Sequence, residues 1–84
     1  MASTEEIKSK IREIIVNIAE DMDIDEDKVT NDAHLVDDLG LDSMALLEIL
    51  AGIEKNFGVK IPEAEFPELT SINACVAKVE KHIG

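Results

Sequence analysis

Residues 37–50 read DDLGLDSMALLEIL, and the fold turns on how this stretch divides. Three of its first six residues are aspartates, and Gly40 breaks the run; from Ser43 on, apolar residues return with the period of a helix. Leu46, Ile49 and Leu50, continued by Ile53 and Phe57, fall at i, i+3, i+4, i+7 and i+11, the stripe of an amphipathic helix from about Asp42 to Phe57. Met44, Leu47 and Ala51 form a second apolar set on a different side of that helix. Core burial does not need both sets, so the second is a candidate contact surface. Gly52, in mid-helix, costs about 1 kcal/mol relative to alanine, so tertiary packing must hold the helix. Asp42 and Ser43 are both good N-caps. If Asp42 takes that position, the Ser43 hydroxyl is free to point outward from the first turn.

Upstream, residues 21–40 read DMDIDEDKVTNDAHLVDDLG, a polar segment whose apolar positions, Met22, Ile24, Val29, Leu35, Val36 and Leu39, share no sustained period. A connection this long is uncommon unless functional. The expectation is that these six side chains pack against the bundle, with one short helical turn near Glu26–Val29. Before it, Ser3 and Glu6 make a capping box, and Ile7, Ile11, Ile14, Ile15 and Ile18 recur at helical spacing, which predicts a helix over 4–20. Downstream, Gly58 is a natural helix stop. Pro62 and Pro67 leave room for one short turn that Pro67 should end. Thr70 or Ser71 then caps a last helix whose apolar face is Ile72, Cys75, Val76, Val79 and Ile83. The predicted fold is all-α: a small bundle of three main helices plus one short helix, with a long loop between the first and second helices. Residues 1–84 are read as one domain.

Nineteen acidic residues against eight basic ones give a net charge of −11. That balance opposes nucleic acid, which needs a basic footprint, and opposes docking on an anionic membrane. It favours basic protein partners. Hydrophobic residues at 45% place the chain among folded domains, and an aromatic share of 2%, supplied by Phe57 and Phe66, makes the core aliphatic. Self-repulsion should leave the fold marginal at low ionic strength, so added salt or millimolar Mg2+ is expected to raise the melting temperature. A melting temperature indifferent to both contradicts that expectation. A single cysteine, Cys75, closes no internal disulfide, and the first residues lack the pattern of a secretory signal. No run approaches the roughly 18 apolar residues of a membrane span. A cytoplasmic location without stable membrane insertion is the expectation.

Candidate chemistry is sparse. A nucleophilic serine needs a base and an orienting group, and the only histidines, His34 and His82, lie in the loop and at the C-terminal end. The sequence around Ser43 is not a hydrolase elbow either. Asp21, Asp23, Asp25 and Asp27 alternate like the start of a calcium loop, yet Glu26 and Asp32 stand where glycine and glutamate are needed. The acidic loop is therefore read as solvated, and no metal site is assigned. Cys75 sits on an apolar stripe and reads as core. Ser43 remains. A helix N-terminus tolerates a phosphate, but Asp42 repels a free ion, so attachment there has to be covalent. Ser43 reads as a modification site.

The segment Asp37-Asp38-Leu39-Gly40-Leu41-Asp42-Ser43-Met44 closely resembles the attachment motif of the acyl carrier proteins, a family of phosphopantetheine-dependent carriers. The resemblance runs from Ser3 to Ile83 and includes Phe57-Gly58, Ile61-Pro62 and Thr70-Ser71-Ile72. It implies that Ser43 receives 4′-phosphopantetheine from coenzyme A, that the arm's thiol carries acyl groups as thioesters, and that the protein catalyses nothing. It implies as partners a phosphopantetheinyl transferase of the holo-ACP synthase type and acyl-transferring or acyl-processing enzymes with basic patches, met by a monomer. Those partners would read the second helix, with apolar contact at Met44, Leu47 and Ala51 and ion pairs at Asp38, Asp42, Glu48 and Glu54. The aliphatic core could part to shelter an acyl chain between helices.

Three positions depart from the family's housekeeping pattern. Ala45 falls where fatty-acid carriers often have an acidic residue, so one partner contact is missing or made differently. Met44 replaces the commoner leucine and is similar to the Asp-Ser-Met of D-alanyl carriers. The Glu-Phe-Pro context of Pro67 is atypical. Fatty acid biosynthesis is the simplest role, with a specialised carrier in lipid, polyketide or D-alanyl/aminoacyl transfer as the alternative. A calcium-binding domain and a cofactor-free acidic adaptor are the readings from other classes. Neither accounts for an Asp-Ser pair at that helix start.

Overall fold

The structure, a computed structural model, describes residues 3–83. Met1, Ala2 and Gly84 lie outside the described residues. Three α-helices form, α1 (Thr4–Asp21), α2 (Ser43–Phe57) and α3 (Ile72–Ile83), and no strand occurs among the described residues.

Each helix begins at a cap whose side chain satisfies one of its free N–H groups. Ser3 Oγ accepts from the Glu6 N–H at 3.2 Å while Glu6 reaches back to Ser3, completing the capping box. Asp42 Oδ1 accepts from the Ala45 N–H at 2.9 Å, and Ser71 Oγ accepts from the Ala74 N–H at 3.1 Å. At the end of α1 the chain reverses through Asp23 in the left-handed region (φ +60°). There the Ile24 N–H donates to the Ala19 carbonyl at 2.8 Å and the Asp23 N–H to that of Glu20 at 3.1 Å. This is the paired-bond helix stop usually built on glycine, here built on aspartate. α2 stops at Gly58, whose φ of +64° a side chain would strain even though a Cβ there meets nothing within 4 Å.

Two short 3-10 helices lie in the connections, Glu26–Lys28 and Glu63–Glu68. The first is capped by Asp25 and falls where one turn was expected. The second corrects the expectation that Pro67 ends the short helix, because the helix runs through Pro67 to Glu68. Two turns stand back to back, closed by Glu65 N–H to the Pro62 carbonyl and Leu69 N–H to the Phe66 carbonyl. Pro67 occupies the second position of the latter turn, where its fixed φ fits and no N–H is required.

α1 is the central element and packs against both neighbours, whereas α2 and α3 meet less closely. Ile11, Ile15, Ile49, Ile53, Ile72, Cys75 and Val79 form the inner core together with Val29, Leu35 and Leu41 from the long connection. Gly52 explains how α2 tolerates glycine. A Cβ there would stand 3.1 Å from Ile14 Cγ2, so its absence lets α1 approach. Two of the six loop positions expected to pack inward do not. Val29, Leu35 and Leu39 are buried and Ile24 is half-buried, but Met22 and Val36 stay 38% and 44% exposed. Met22 is the C-cap of α1 and falls past its buried stripe; Val36 is thrown outward by a tight turn that sends Leu35 and Leu39 in. Ile83, assigned to the apolar face of the last helix, is also exposed at the end of α3.

Candidate functional site

The approach to α2 is stitched down before it reaches Ser43. Leu35 N–H donates to the Thr70 carbonyl at 2.9 Å and Asn73 N–H to that of Asn31 at 3.1 Å, which ties the long connection to the start of α3. Asp38 accepts from the His34 N–H at 2.7 Å, and His34 Nδ1 accepts from the Asp37 N–H at 3.0 Å. Gly40 turns the chain at φ +75°, and its N–H donates to the Val36 carbonyl at 2.9 Å. Leu39 and Leu41 are buried on either side of it. The chain therefore enters α2 from a fixed direction.

Because Asp42 makes the cap, Ser43 is the first residue of α2, with an exposed hydroxyl that has no hydrogen-bonding partner among the described residues. Around it stand the residues expected to meet partners. Asp42, Met44, Leu47, Glu48 and Ala51 are exposed along the outer face of α2, and Asp38 is exposed in the turn before it. Met44 (67%) and Leu47 (51%) are the most solvent-open large apolar side chains described. Glu54 is placed differently. It is half-buried, and its Oε2 accepts from the Ile61 N–H at 3.0 Å, holding the segment after Gly58 against α2. Ala45 is buried where the start of α2 meets the end of α1, so that position presents only a small side chain and no acidic contact.

Where α2 and α3 meet loosely, a cavity of about 260 Å³ opens beside Ser43. Its walls are almost wholly apolar, including Leu35, Leu46, Leu50, Phe66, Leu69 and Cys75. Phe66 and Leu69 were not legible as site residues, since only the packing of 63–69 across the gap brings them there. Burial pushes the Cys75 thiol up to about 12, so it stays protonated and inert as a nucleophile. Among the described residues, no three His, Cys, Asp or Glu side chains are grouped so as to hold a metal ion.

The cavity wall is latched to α3 by one carboxylate. Glu65 receives Lys78 Nζ at 2.9 Å, His82 Nε2 at 3.3 Å and Lys81 Nζ at 3.7 Å, and Lys78 also reaches Glu68 at 3.0 Å. The Lys78 hydrogen bond, aided by His82 and the nearby positive charges and opposed by burial, holds the Glu65 carboxyl below its ordinary value of 4.5. Reciprocally, the hydrogen bond to Glu65 raises Lys78. A folded-state pKa below the unfolded one means stability that is present above the ordinary carboxylate range and lost as pH falls through the folded-state pKa. Glu65→Gln is therefore expected to melt lower than wild type at pH 7, with the gap closing in acid. A gap that persists in thermal melts at pH 3 contradicts this latch.

The comparisons with known proteins meet these observations. The family model for the phosphopantetheine attachment site matches residues 10–79. An acyl carrier protein of Thermotoga maritima is 40% identical over 84 residues, covering all of both chains. One from Akkermansia muciniphila is 38% identical over 79 residues, 94% of this chain and 95% of the relative. The solved structure of the acyl carrier protein from Enterococcus faecalis superposes with a TM-score of 0.77 at 28% identity, covering 96% of this chain and 99% of that one. Among the described residues no helix is long and apolar enough to cross a membrane. By its sequence and its fold this chain belongs to the acyl carrier proteins, non-catalytic proteins that bear 4′-phosphopantetheine.

Proposed function

We propose that this protein carries acyl intermediates as thioesters on a 4′-phosphopantetheine arm attached to Ser43, and that it serves fatty acid biosynthesis. The observation that carries the reading is the Ser43 hydroxyl itself, exposed and released from capping by Asp42. When bound, the group supplies a thiol at the end of a long arm. The chain supplies the rest. Ser43 provides the oxygen for the phosphodiester, and the free N–H groups of the first turn of α2 favour the anion formed there. The cavity between α2 and α3 offers an acyl chain an apolar refuge, and Cys75 lines it without attacking the ester. Such a lining suits an aliphatic cargo better than a charged aminoacyl one, which favours the fatty-acid role over D-alanyl transfer.

Partner enzymes engage a single carrier-type domain, monomeric and cytoplasmic. They approach through Met44, Leu47 and Ala51, with Asp38, Asp42 and Glu48 meeting basic side chains; Glu54 contributes through the oxygen that Ile61 leaves free. Ion pairs at such a rim mainly raise the association rate, which suits brief visits to many enzymes.

The test is incubation of the apo protein with coenzyme A, Mg2+ and a broad-specificity phosphopantetheinyl transferase, read by intact mass. A gain of one phosphopantetheine is expected. A folded protein that gains nothing overturns the reading and leaves the acidic adaptor.

A further inference from the structure

We infer that the phosphopantetheinyl transferase grips this carrier across a groove between the end of α1 and the start of α2, seating an apolar side chain between Met22 and Met44 with its own Arg or Lys residues over Asp21, Asp42 and Glu48. The inference rests on the carrier reading and adds to it a contact supplied by α1. A groove of about 240 Å³ runs there, and Met22, Met44, Asp21, Asp42, Glu48 and the small Ala45 all line it. Two of the five large apolar side chains left exposed among the described residues thus share one groove, rimmed by three carboxylates without a Lys or Arg. Single exposed apolar residues need no explanation, but a pair facing each other across a groove does. Methionine side chains adapt to whatever shape enters, and the carboxylate rim selects a basic partner.

The chemistry at Ser43 selects the transferase. Transfer bonds Ser43 Oγ to the phosphorus of the phosphopantetheine half of coenzyme A and breaks the diphosphate bridge. Adenosine 3′,5′-bisphosphate leaves with the bonding electron pair, and the hydroxyl proton passes to a base on the transferase or to water. Enzymes that act on the thiol work at the far tip of the arm. The transferase must bring its reacting phosphorus to the serine oxygen itself, so its surface covers the residues next to Ser43, and Asp42 and Met44 are both groove residues.

The experiment measures the initial rate of phosphopantetheine transfer against carrier concentration, using one basic transferase and the full chain. Met22→Ser is expected to raise KM about five- to tenfold with kcat unchanged, the loss of one well-seated apolar contact. Ile83→Ser, which removes an equally exposed apolar side chain at the far end of α3, should leave KM unchanged. Asp21→Asn serves if Met22→Ser melts below the assay temperature; it should raise KM and flatten its dependence on salt. Wild-type KM in both groove variants overturns the inference, and so does an equal rise in Ile83→Ser. A wild-type chain that takes up no phosphopantetheine overturns the carrier reading beneath it, whereas a modified wild type with indifferent variants removes the groove alone.

Discussion

The Ser43→Ala chain is expected to fold, to melt within about 0.5 kcal/mol of wild type, and to gain no phosphopantetheine. The two halves of this result have separate causes. Stability is spared because the cap belongs to Asp42, whose Oδ1 accepts from the Ala45 N–H at 2.9 Å, while the Ser43 hydroxyl is exposed and unpartnered among the described residues. Alanine is also the better helix former at that position. Modification is lost because no other serine among the described residues offers the same setting, and the Thr4 hydroxyl at the start of α1 bonds Glu80. Ser3 and Ser71 bond the starts of α1 and α3, and Ser9 lies on the outer side of α1, away from any helix start. Intact mass and a thermal melt on the same sample read both halves. The reciprocal change, Asp42→Ala, should cost about 1 kcal/mol through the lost cap. A residual mass gain in Ser43→Ala, or a large fall in its melting temperature, contradicts the assignment of roles to these two residues.

Ile53→Ala should have the largest effect on stability. Ile53 is 0% exposed on the inner face of α2, where the aliphatic core meets α1. Truncating such a side chain removes its burial and leaves a cavity, for about 2–5 kcal/mol. A chain of 84 residues has roughly 4–12 kcal/mol in all, and a net charge of −11 places this one toward the lower part of that range. The variant should unfold substantially at low ionic strength and recover with salt. Urea denaturation should show the midpoint falling with the slope unchanged. A loss under about 1 kcal/mol would mean that α2 is not held through this residue.

The readable part of this protein was local. Caps and stops act within four residues, so Ser3 with Glu6 and Gly58 after Phe57 could be placed from neighbouring letters alone, whereas the choice between Asp42 and Ser43 was decided by the hydrogen bond from the Ala45 N–H. Helical stripes repeat within the same distance, which is why the buried and exposed faces of α2 were separable and why Ser43 stood out. Short-range rules failed where one residue satisfies two of them. Pro67 reads as a stop by one and as the second residue of a turn by another, and the second governs.

The rest depended on closing the long connection. Once Leu35 bonds the Thr70 carbonyl and Asn73 bonds Asn31, the turn at 34–40 acquires an inside and an outside, and Val36 falls on the outside. Glu54 looks like a free surface charge until Ile61, seven residues on, comes back to use it. Glu65 gathers Lys78, Lys81 and His82 only because the 63–68 segment lies across α3. The cavity beside Ser43 belongs to no residue in particular, being the space left where α1 holds α2 and α3 more closely than they hold each other. The sequence by itself determined the helices, the capping box of the first of them and Ser43 as the candidate serine, because each depends on contacts within a turn or two. Tertiary structure alone decided which loop side chains are exposed, which carboxylates are engaged and where the apolar cavity opens, because those depend on distances between residues far apart in the chain.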